Sequence, residues 1–282
     1  MNPKIIDQNI LRTLSAQISS TPKIAAYEKR LLKDIKGYIN NTNIMSMHYK
    51  IFWHQDRINA ILKGRPEQVM PITMEFVPSL ECNNRCPHCT FKRWRENTMS
   101  DYQNRKMSYD LMMLLLDKLE ESDVKSVIFT GGGEPFTNKY TIDGIERTSK
   151  MKLESALFTN GSLLDQEKIE RLAQSNMTFM RLSLNTGDRD NYILFHGNKN
   201  GRYFDIVKRN IELLANAFIG QKTEFNISAI LNEVNIDYMP SVAVLISEIK
   251  QKNPEAKIDN IQFKPVINYG QIDTDTRKQI SK

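Results

Sequence analysis

From residue 71 onward, short β-type runs alternate with amphipathic helical stretches, and this alternation most constrains the fold of the chain. Six apolar runs predict strands, at Thr73–Val77, Ser126–Thr130, Ser155–Phe158, Phe179–Leu184, Glu224–Ile230 and Asn260–Pro265. The segments between them predict helices, at Tyr109–Glu120, Ile142–Met151, Gln166–Gln174, Phe204–Ala217 and Ser241–Lys250. Strands and helices in this order form a parallel sheet whose connections are right-handed crossovers.

The number of units sets the architecture. Six units occupy about 190 residues, whereas a closed eight-stranded barrel takes ~250. The predicted fold class is therefore α/β, an open, partial (β/α)6 TIM-type barrel with an N-terminal helical extension. Helical spacing of apolar residues over positions 1–64, ended by Gly64-Arg65-Pro66, predicts that extension. The predicted domains are a basic helical extension over residues 1–70 and the barrel over residues 71–282.

Composition excludes two other classes of protein. With 40% hydrophobic and 26% charged residues, the 282-residue chain is too apolar to be mainly disordered. Its longest uninterrupted apolar run, Leu111–Leu116, falls far short of the ~20 residues that a bilayer-spanning helix needs. The opening residues MNPKIIDQNI contain no apolar signal core, so the sequence predicts a cytoplasmic protein without a membrane segment.

The positive charge is concentrated near the N-terminus. Residues 1–70 contain 11 Lys and Arg against 5 Asp and Glu, which accounts for the whole formal net charge of +6. This asymmetry indicates an anionic substrate or partner at the extension. The alternative is a pair of helices with lysine-rich faces in solvent.

The three cysteines of the chain lie within eight residues, directly after the first predicted strand. The loop reads Glu81-Cys82-Asn83-Asn84-Arg85-Cys86-Pro87-His88-Cys89. Three cysteines so close together do not form a disulfide framework, and they indicate a metal or cluster site. A four-iron cluster normally takes four thiolates, so three would leave one iron open for chemistry. The alternative, structural zinc with His88 as fourth ligand, is disfavoured because neighbouring side chains rarely converge on one ion.

A glycine-rich turn, Thr130-Gly131-Gly132-Gly133-Glu134-Pro135, follows the second predicted strand. Glycines let the backbone approach a ligand closely, and Glu134 offers a carboxylate for an ammonium group. A tight strand-to-helix turn would explain the glycines alone. A P-loop is excluded because no Gly-Lys-Ser/Thr follows.

Two further strand ends carry polar residues. Thr159-Asn160-Gly161 ends the third strand, and alternation along Arg181-Leu182-Ser183-Leu184-Asn185 sends the three polar side chains to one face. Polar residues on the inner face of a barrel strand indicate an interior ligand, although a polar edge strand would show the same pattern. Asn232 and Lys264 are weaker candidates, because single polar residues at strand ends often form caps or turns.

These motifs together resemble the radical S-adenosylmethionine (radical SAM) superfamily over about residues 70–266. The hallmark of that family is C-x3-C-x2-C on the loop after the first strand of a partial barrel, here Cys82, Cys86 and Cys89. The resemblance implies that these thiolates hold one [4Fe-4S] cluster and that the methionine part of SAM chelates the fourth iron. One electron then cleaves SAM to methionine and a 5′-deoxyadenosyl radical, which abstracts hydrogen from the substrate.

The resemblance also implies roles for further residues. Gly132, Gly133, Glu134 and Pro135 match the motif that binds the SAM amino group, and Thr159 and Asn160 match a triplet common in the family. Ser183 and Asn185 would contact the ribose or carboxylate, with Asn232 as a weaker candidate. His88 occupies the position of an aromatic residue near the adenine, which is a departure from the family pattern.

Three hypotheses for function follow. The first is a radical SAM enzyme acting on a small, anionic metabolite such as a nucleotide, sugar or phosphorylated intermediate of a biosynthetic pathway. The second is radical SAM modification of a peptide, a protein or tRNA, and the third, disfavoured, is a non-enzymatic cluster or zinc sensor. A flavodoxin or ferredoxin would supply the electron, and the basic loop Lys92-Arg93-Trp94-Arg95 is a candidate docking site for it.

No cysteine remains for an auxiliary cluster, a thiol hydrogen donor or a methyl carrier. His196-Gly197 is expected to close a turn without a catalytic role.

Overall fold

The structure, a computed structural model, describes residues 54–91, 106–197, 201–232 and 235–265. By its internal contacts the chain divides into two compact units, Met1–Val69 and Met70–Lys282. The helices predicted before residue 54 and the basic loop at residues 92–95 lie outside the described residues. In the first unit the described part contains helix α1, Gln55–Leu62, and a 3₁₀ helix, Pro66–Gln68.

The second unit contains the predicted parallel sheet. Its strands are β1 Thr73–Phe76, β2 Ser126–Phe129, β3 Glu154–Thr159, β4 Phe179–Ser183, β5 Glu224–Leu231 and β6 Asn260–Pro265. All five strand pairings are parallel, and the strands follow one another across the sheet in chain order. A parallel sheet in chain order with helical connections is the partial (β/α)6 barrel that the sequence predicts.

In the described part of this unit, six helices accompany the strands. They are α2 Tyr109–Glu121, α3 Thr141–Ser149, α4 Gln166–Gln174, α5 Arg189–His196, α6 Arg202–Ala217 and α7 Met239–Lys252, with 3₁₀ helices at Pro135–Thr137 and Ile236–Tyr238. Ser108 caps the start of α2, since its hydroxyl accepts the Leu111 N–H at 3.3 Å. Pro240 lies in the first turn of α7.

One helix differs from the prediction. The sequence interpretation assigned His196-Gly197 to a turn before the next helix, but residues Arg189–His196 form α5, and Gly197 ends it in the left-handed conformation with φ 59°. The Asp188 carboxylate caps its start by accepting the Asn191 N–H at 2.9 Å. An Asp cap and a terminal glycine with eight residues between them are the sequence signals of this short helix.

The main core lies between the outer face of the sheet and the helices. Alternate strand residues fill it from one side, among them Val127, Phe129, Leu157, Met180, Leu182, Phe225 and Ile227. Helix residues fill it from the other side, among them Met112, Leu116, Ile145, Ile169, Leu172, Ile211 and Leu214. Because side chains alternate along a strand, the residues between these core positions face the inside of the barrel.

Candidate active site at the carboxyl ends of the strands

The three thiols lie on the loop that follows β1. Cys82, Cys86 and Cys89 are each half-buried, and none forms a disulfide. The Cys89 N–H donates to the Cys86 carbonyl at 3.1 Å, which turns the second half of the loop back on itself. Within the described ranges, no three His, Cys, Asp or Glu side chains converge as ligands of a single metal ion. A cubane cluster takes each thiolate on a different iron, so separated thiols are compatible with it.

The glycine-rich turn after β2 packs against the cysteine loop. The Glu134 N–H donates to the Glu81 carbonyl at 2.7 Å, one residue before Cys82. A Cβ atom at Gly133 would lie 1.9 Å from that carbonyl oxygen, so only glycine allows the two backbones to approach so closely. The turn therefore places the backbone of Glu134 beside the residue that precedes the first cysteine.

Glu134 is the buried acid of the site, with 3% of its surface exposed. Its carboxylate accepts the Thr159 hydroxyl at 2.6 Å, the Asn160 N–H at 2.7 Å and the Phe136 N–H at 3.3 Å. These hydrogen bonds lower its pKa, but burial outweighs them and raises the pKa to about 7. No cationic side chain of the described residues pairs with it. A fixed, buried carboxylate without a counter-ion is a binding site for an ammonium group.

The end of β3 is tied to the cysteine loop by side-chain amides. The Asn160 amide donates to Asn83 at 2.9 Å, Asn83 donates to the Ser162 hydroxyl at 2.7 Å, and that hydroxyl donates to Asn160 at 2.6 Å. This closed ring of hydrogen bonds holds Asn83, which follows Cys82 directly. Thr159 and Asn160, both predicted site residues, thus lie beside Glu134 and act on it through hydrogen bonds.

Asn185 joins three parts of the site. Its side-chain oxygen accepts the Ile230 N–H at 2.9 Å, which turns its amide nitrogen toward the His88 ring nitrogen Nε2 at 3.4 Å. Burial lowers the pKa of His88 to about 4, so the ring is neutral at physiological pH and can accept this hydrogen bond. The predicted residues His88 and Asn185 therefore meet at the carboxyl ends of the strands, the opening that we call the mouth of the barrel. They are 97 positions apart in the sequence.

The remaining predicted residues are spread around the same edge. Ser183 is half-buried on the inner face of β4, two residues before Asn185. Gly132 and Pro135 belong to the glycine-rich turn, and Pro135 is buried. Asn232 lies just beyond β5, where its side chain accepts the Asn235 N–H at 3.0 Å. That contact is a turn of the kind anticipated for single polar residues at strand ends.

His196 is a site residue that the sequence interpretation missed. It is fully buried at the end of α5 and stacks on Tyr192, with the ring centroids 4.0 Å apart. Its Nε2 accepts the Asn185 N–H at 3.4 Å, and its Nδ1 faces the Asn84 amide at 3.4 Å. Burial, aided by neighbouring His88, lowers the pKa of His196 to about 3, so the ring is neutral.

The end of α5 also holds the cysteine loop through its backbone. The His196 carbonyl accepts the Arg85 N–H at 3.0 Å and lies 3.7 Å from the Cys86 sulfur. A Cβ atom at Gly197 would lie 2.1 Å from the Arg85 carbonyl oxygen. Helix α5 therefore supports the cysteine loop at Arg85 and Cys86.

Comparison with known proteins identifies the family of this arrangement. The family model described as the radical SAM superfamily matches residues 76–244, which is more than half of the chain. The chain belongs to the radical SAM superfamily. As a member it is an enzyme whose cofactors are a [4Fe-4S] cluster and SAM, as predicted from the sequence.

Individual radical SAM relatives are distant. The chain is 29% identical over 104 residues to the tungsten-containing aldehyde ferredoxin oxidoreductase cofactor-modifying protein of Pyrococcus furiosus, covering 36% of this chain and 28% of that protein. It is 19% identical over 196 residues to the PqqA peptide cyclase of Bradyrhizobium diazoefficiens, covering 69% of this chain and 47% of that protein. The chain thus spans less than half the length of these curated relatives.

A solved structure supports the fold. SuiB of Streptococcus suis bound to S-adenosylmethionine superposes with a TM-score of 0.58 at 17% identity, covering 92% of this chain and 57% of SuiB. The radical SAM barrel is therefore shared with SuiB.

Within the described residues, every helix is too short or too polar to cross a lipid bilayer.

The residues at the mouth of the barrel fit the two cofactors. Three thiols on one loop match the ligand set of a cluster that keeps one iron open. The enclosed Glu134 carboxylate, for which the described residues supply no cationic partner, has the chemistry to bind the ammonium group of SAM.

Proposed function

We propose that this enzyme cleaves SAM reductively and uses the resulting radical to abstract hydrogen from a small, anionic metabolite. When bound, the cluster supplies one electron to the sulfonium of SAM, which yields methionine and a 5′-deoxyadenosyl radical. The observation that carries the proposal is the buried carboxylate of Glu134, which has no cationic partner among the described residues. The backbone N–H of the same residue bonds to the Glu81 carbonyl, directly before Cys82. The carboxylate provides an ammonium site next to three candidate thiolate ligands.

The chain's own residues would divide the work of binding. Cys82, Cys86 and Cys89 would each bind one iron as thiolates. Glu134 would hold the amino group of SAM, with its orientation set by the Thr159 hydroxyl and the Asn160 N–H. Gly132, Gly133 and Pro135 would shape the turn that carries it.

The opposite side of the mouth would hold the rest of SAM. His88 would stack near the adenine, since its neutral ring is already oriented by Asn185. Ser183 and Asn185, together with Asn232, would contact the ribose or carboxylate. Because His88 and Asn185 contact each other, we expect a change in either to alter the affinity for SAM.

A second substrate class is supported by a relative. The PqqA peptide cyclase covers 69% of this chain, and its name identifies a peptide substrate. Radical modification of a peptide, a protein or tRNA is therefore the alternative. In both cases we propose a flavodoxin or ferredoxin as the electron donor and the cytoplasm as the location.

The decisive experiment is anaerobic. Protein reconstituted with iron and sulfide is incubated with SAM and dithionite, and 5′-deoxyadenosine is measured by mass spectrometry. We expect deoxyadenosine from the wild type and none from Cys86→Ala, with reactions lacking dithionite as controls. One bound zinc, no iron and no deoxyadenosine would instead identify a zinc sensor and reject the proposal.

The substrate is tested in the same reaction. Deuterated candidate metabolites or peptides are added, and deuterium in the deoxyadenosine identifies the compound that lost hydrogen. Transfer from a small anionic compound supports the first substrate class, and transfer from a peptide replaces it with the second.

A further inference from the structure

The inner face of the barrel carries two cations, Arg181 deeper along β4 and Lys264 nearer the carboxyl end of the sheet. Arg181 on β4 is the register partner of Asn226 on β5, and Lys264 on β6 is the partner of Ile230. The neighbours of Arg181, Met180 and Leu182, point into the core beneath the helices. Alternation therefore turns Arg181 to the inside of the barrel.

Arg181 stacks on an aromatic ring there. Its guanidinium lies over the Phe158 ring, 3.5 Å from the centroid, and it makes no ion pair within the described residues. Burial lowers its pKa, an effect only partly offset by the charge of Glu75 on β1. Stacking leaves the N–H edges of the guanidinium free to bind a planar or tetrahedral anion in two-pronged fashion.

Lys264, the register partner of Ile230, also faces the inside of the barrel by alternation and adds a second positive charge there. It too makes no ion pair with a described residue. Burial and the charge of Arg181 both lower its pKa. Two half-buried positive charges that repel each other lower the stability of the folded protein. An anion bound between them would offset that loss of stability.

Asn226 supplies an independent sign of a missing ligand. It is 94% buried by area, with 6% of its surface exposed, and its amide nitrogen donates to the Glu224 carboxylate at 2.8 Å. Because a carboxylate only accepts, this bond fixes the amide orientation. The Asn226 side-chain oxygen is buried and has no hydrogen-bond partner in the part of the chain that the structure describes. Buried polar atoms are almost always paired, so this acceptor calls for a donor that the described protein groups do not provide.

We propose that Arg181, Lys264 and the Asn226 side-chain oxygen form a subsite for an anionic group of the substrate. The group is a carboxylate or phosphate that carries an O–H or N–H donor beside it, because two cations face one unpaired acceptor. Arg181 precedes Ser183 by two residues, so Arg181 and its register partner Asn226 lie about 7 Å deeper along the strands than Ser183. The backbone of Lys264 is level with Asn185, so the subsite extends from there toward the inside of the barrel. The inference rests on the proposed function, in which the substrate binds inside the barrel.

Anion titrations test the subsite. The full chain is reconstituted anaerobically, saturated with SAM so that sites for the SAM carboxylate are filled, and melted at constant ionic strength. Inorganic phosphate tests the phosphate source and glycolate the carboxylate source, with neutral glycolamide as control. A ligand that binds the native state raises the melting temperature in a saturable way.

We expect phosphate or glycolate, but not glycolamide, to raise the melting temperature of the wild type. The apparent Kd of the anion that binds should increase at least tenfold in Arg181→Met and at least threefold in Lys264→Met. Arg147→Met, which removes a surface cation paired with Asp117 on α2, should bind the anion as the wild type does. Equal binding by the wild type and both inner-face variants, or no response of the wild type to either anion, would overturn the subsite.

The two proposals fail separately. If the wild type forms deoxyadenosine but its melting temperature does not respond to the anions, the subsite is rejected and the proposed function stands. If anions bind through Arg181 but no deoxyadenosine forms, the proposed function is rejected and an anion-binding barrel remains.

Discussion

Replacing Glu134 with glutamine should change how the stability of the protein depends on pH. Burial raises the pKa of this carboxyl from its ordinary value of 4.5 to about 7. The folded protein therefore keeps the proton up to about pH 7, whereas the unfolded chain releases it near pH 4.5. Between these values the folded state binds more protons, so its free energy of unfolding falls as the pH rises.

The size of this effect follows from the shift. Each pKa unit corresponds to ~1.36 kcal/mol. Ionisation of the buried Glu134 therefore lowers the free energy of unfolding by about 3 kcal/mol between pH 4.5 and pH 8. Glutamine does not titrate, and it also exchanges one accepting oxygen for an NH2 group. That exchange costs about 1–3 kcal/mol at every pH, because a backbone N–H loses its acceptor.

Urea unfolding of the cluster-free, fully reduced protein at several pH values measures the effect. The unfolding free energy of the wild type minus that of Glu134→Gln should fall by about 3 kcal/mol between pH 4.5 and 8. The exposed Glu154 on β3 provides the matched control, Glu154→Gln, for the same chemical change in solvent. If the unfolding free energies of the wild type and Glu134→Gln changed with pH in parallel, Glu134 would not be a buried carboxyl group with a raised pKa.

Three further changes probe the support of the cysteine loop. Cys86→Ala should lose the visible absorbance of the reconstituted cluster, and iron analysis should confirm the loss. Gly133→Ala should cost about 2 kcal/mol or more in urea unfolding, because its Cβ would meet the Glu81 carbonyl at 1.9 Å, whereas Gly201→Ala, whose nearest atom lies at 3.3 Å, should cost far less. Gly197→Ala should release the loop from α5 and lower the iron retained after gel filtration, and unchanged iron would contradict that support.

The strands were predictable because their signals are local. Each predicted strand overlaps an observed one to within one or two residues at either end, as in β3, which begins at Glu154 instead of Ser155. Apolar runs of four to eight residues between helical stretches leave few other structures for the chain. The N-terminal helices before residue 54 remain a prediction.

The contacts that build the site were not predictable, because they join residues far apart in the chain. The hydrogen bond of Glu134 with Thr159 spans 25 residues, and that of His88 with Asn185 spans 97. His196 was assigned to a turn because α5 has only eight residues, and nothing local shows that its ring is buried against Tyr192. The motifs therefore indicated which residues cluster, and the structure shows the hydrogen bonds and ring contacts that join them.

Electron paramagnetic resonance of the reduced protein, recorded with and without SAM, tests the central claim most directly. If the chain leaves one iron open beside Glu134, the wild type should show a reduced cluster whose signal changes when SAM is added. A cluster signal that SAM does not alter would contradict an open iron, and the absence of any cluster in iron-reconstituted protein would contradict the ligand assignment.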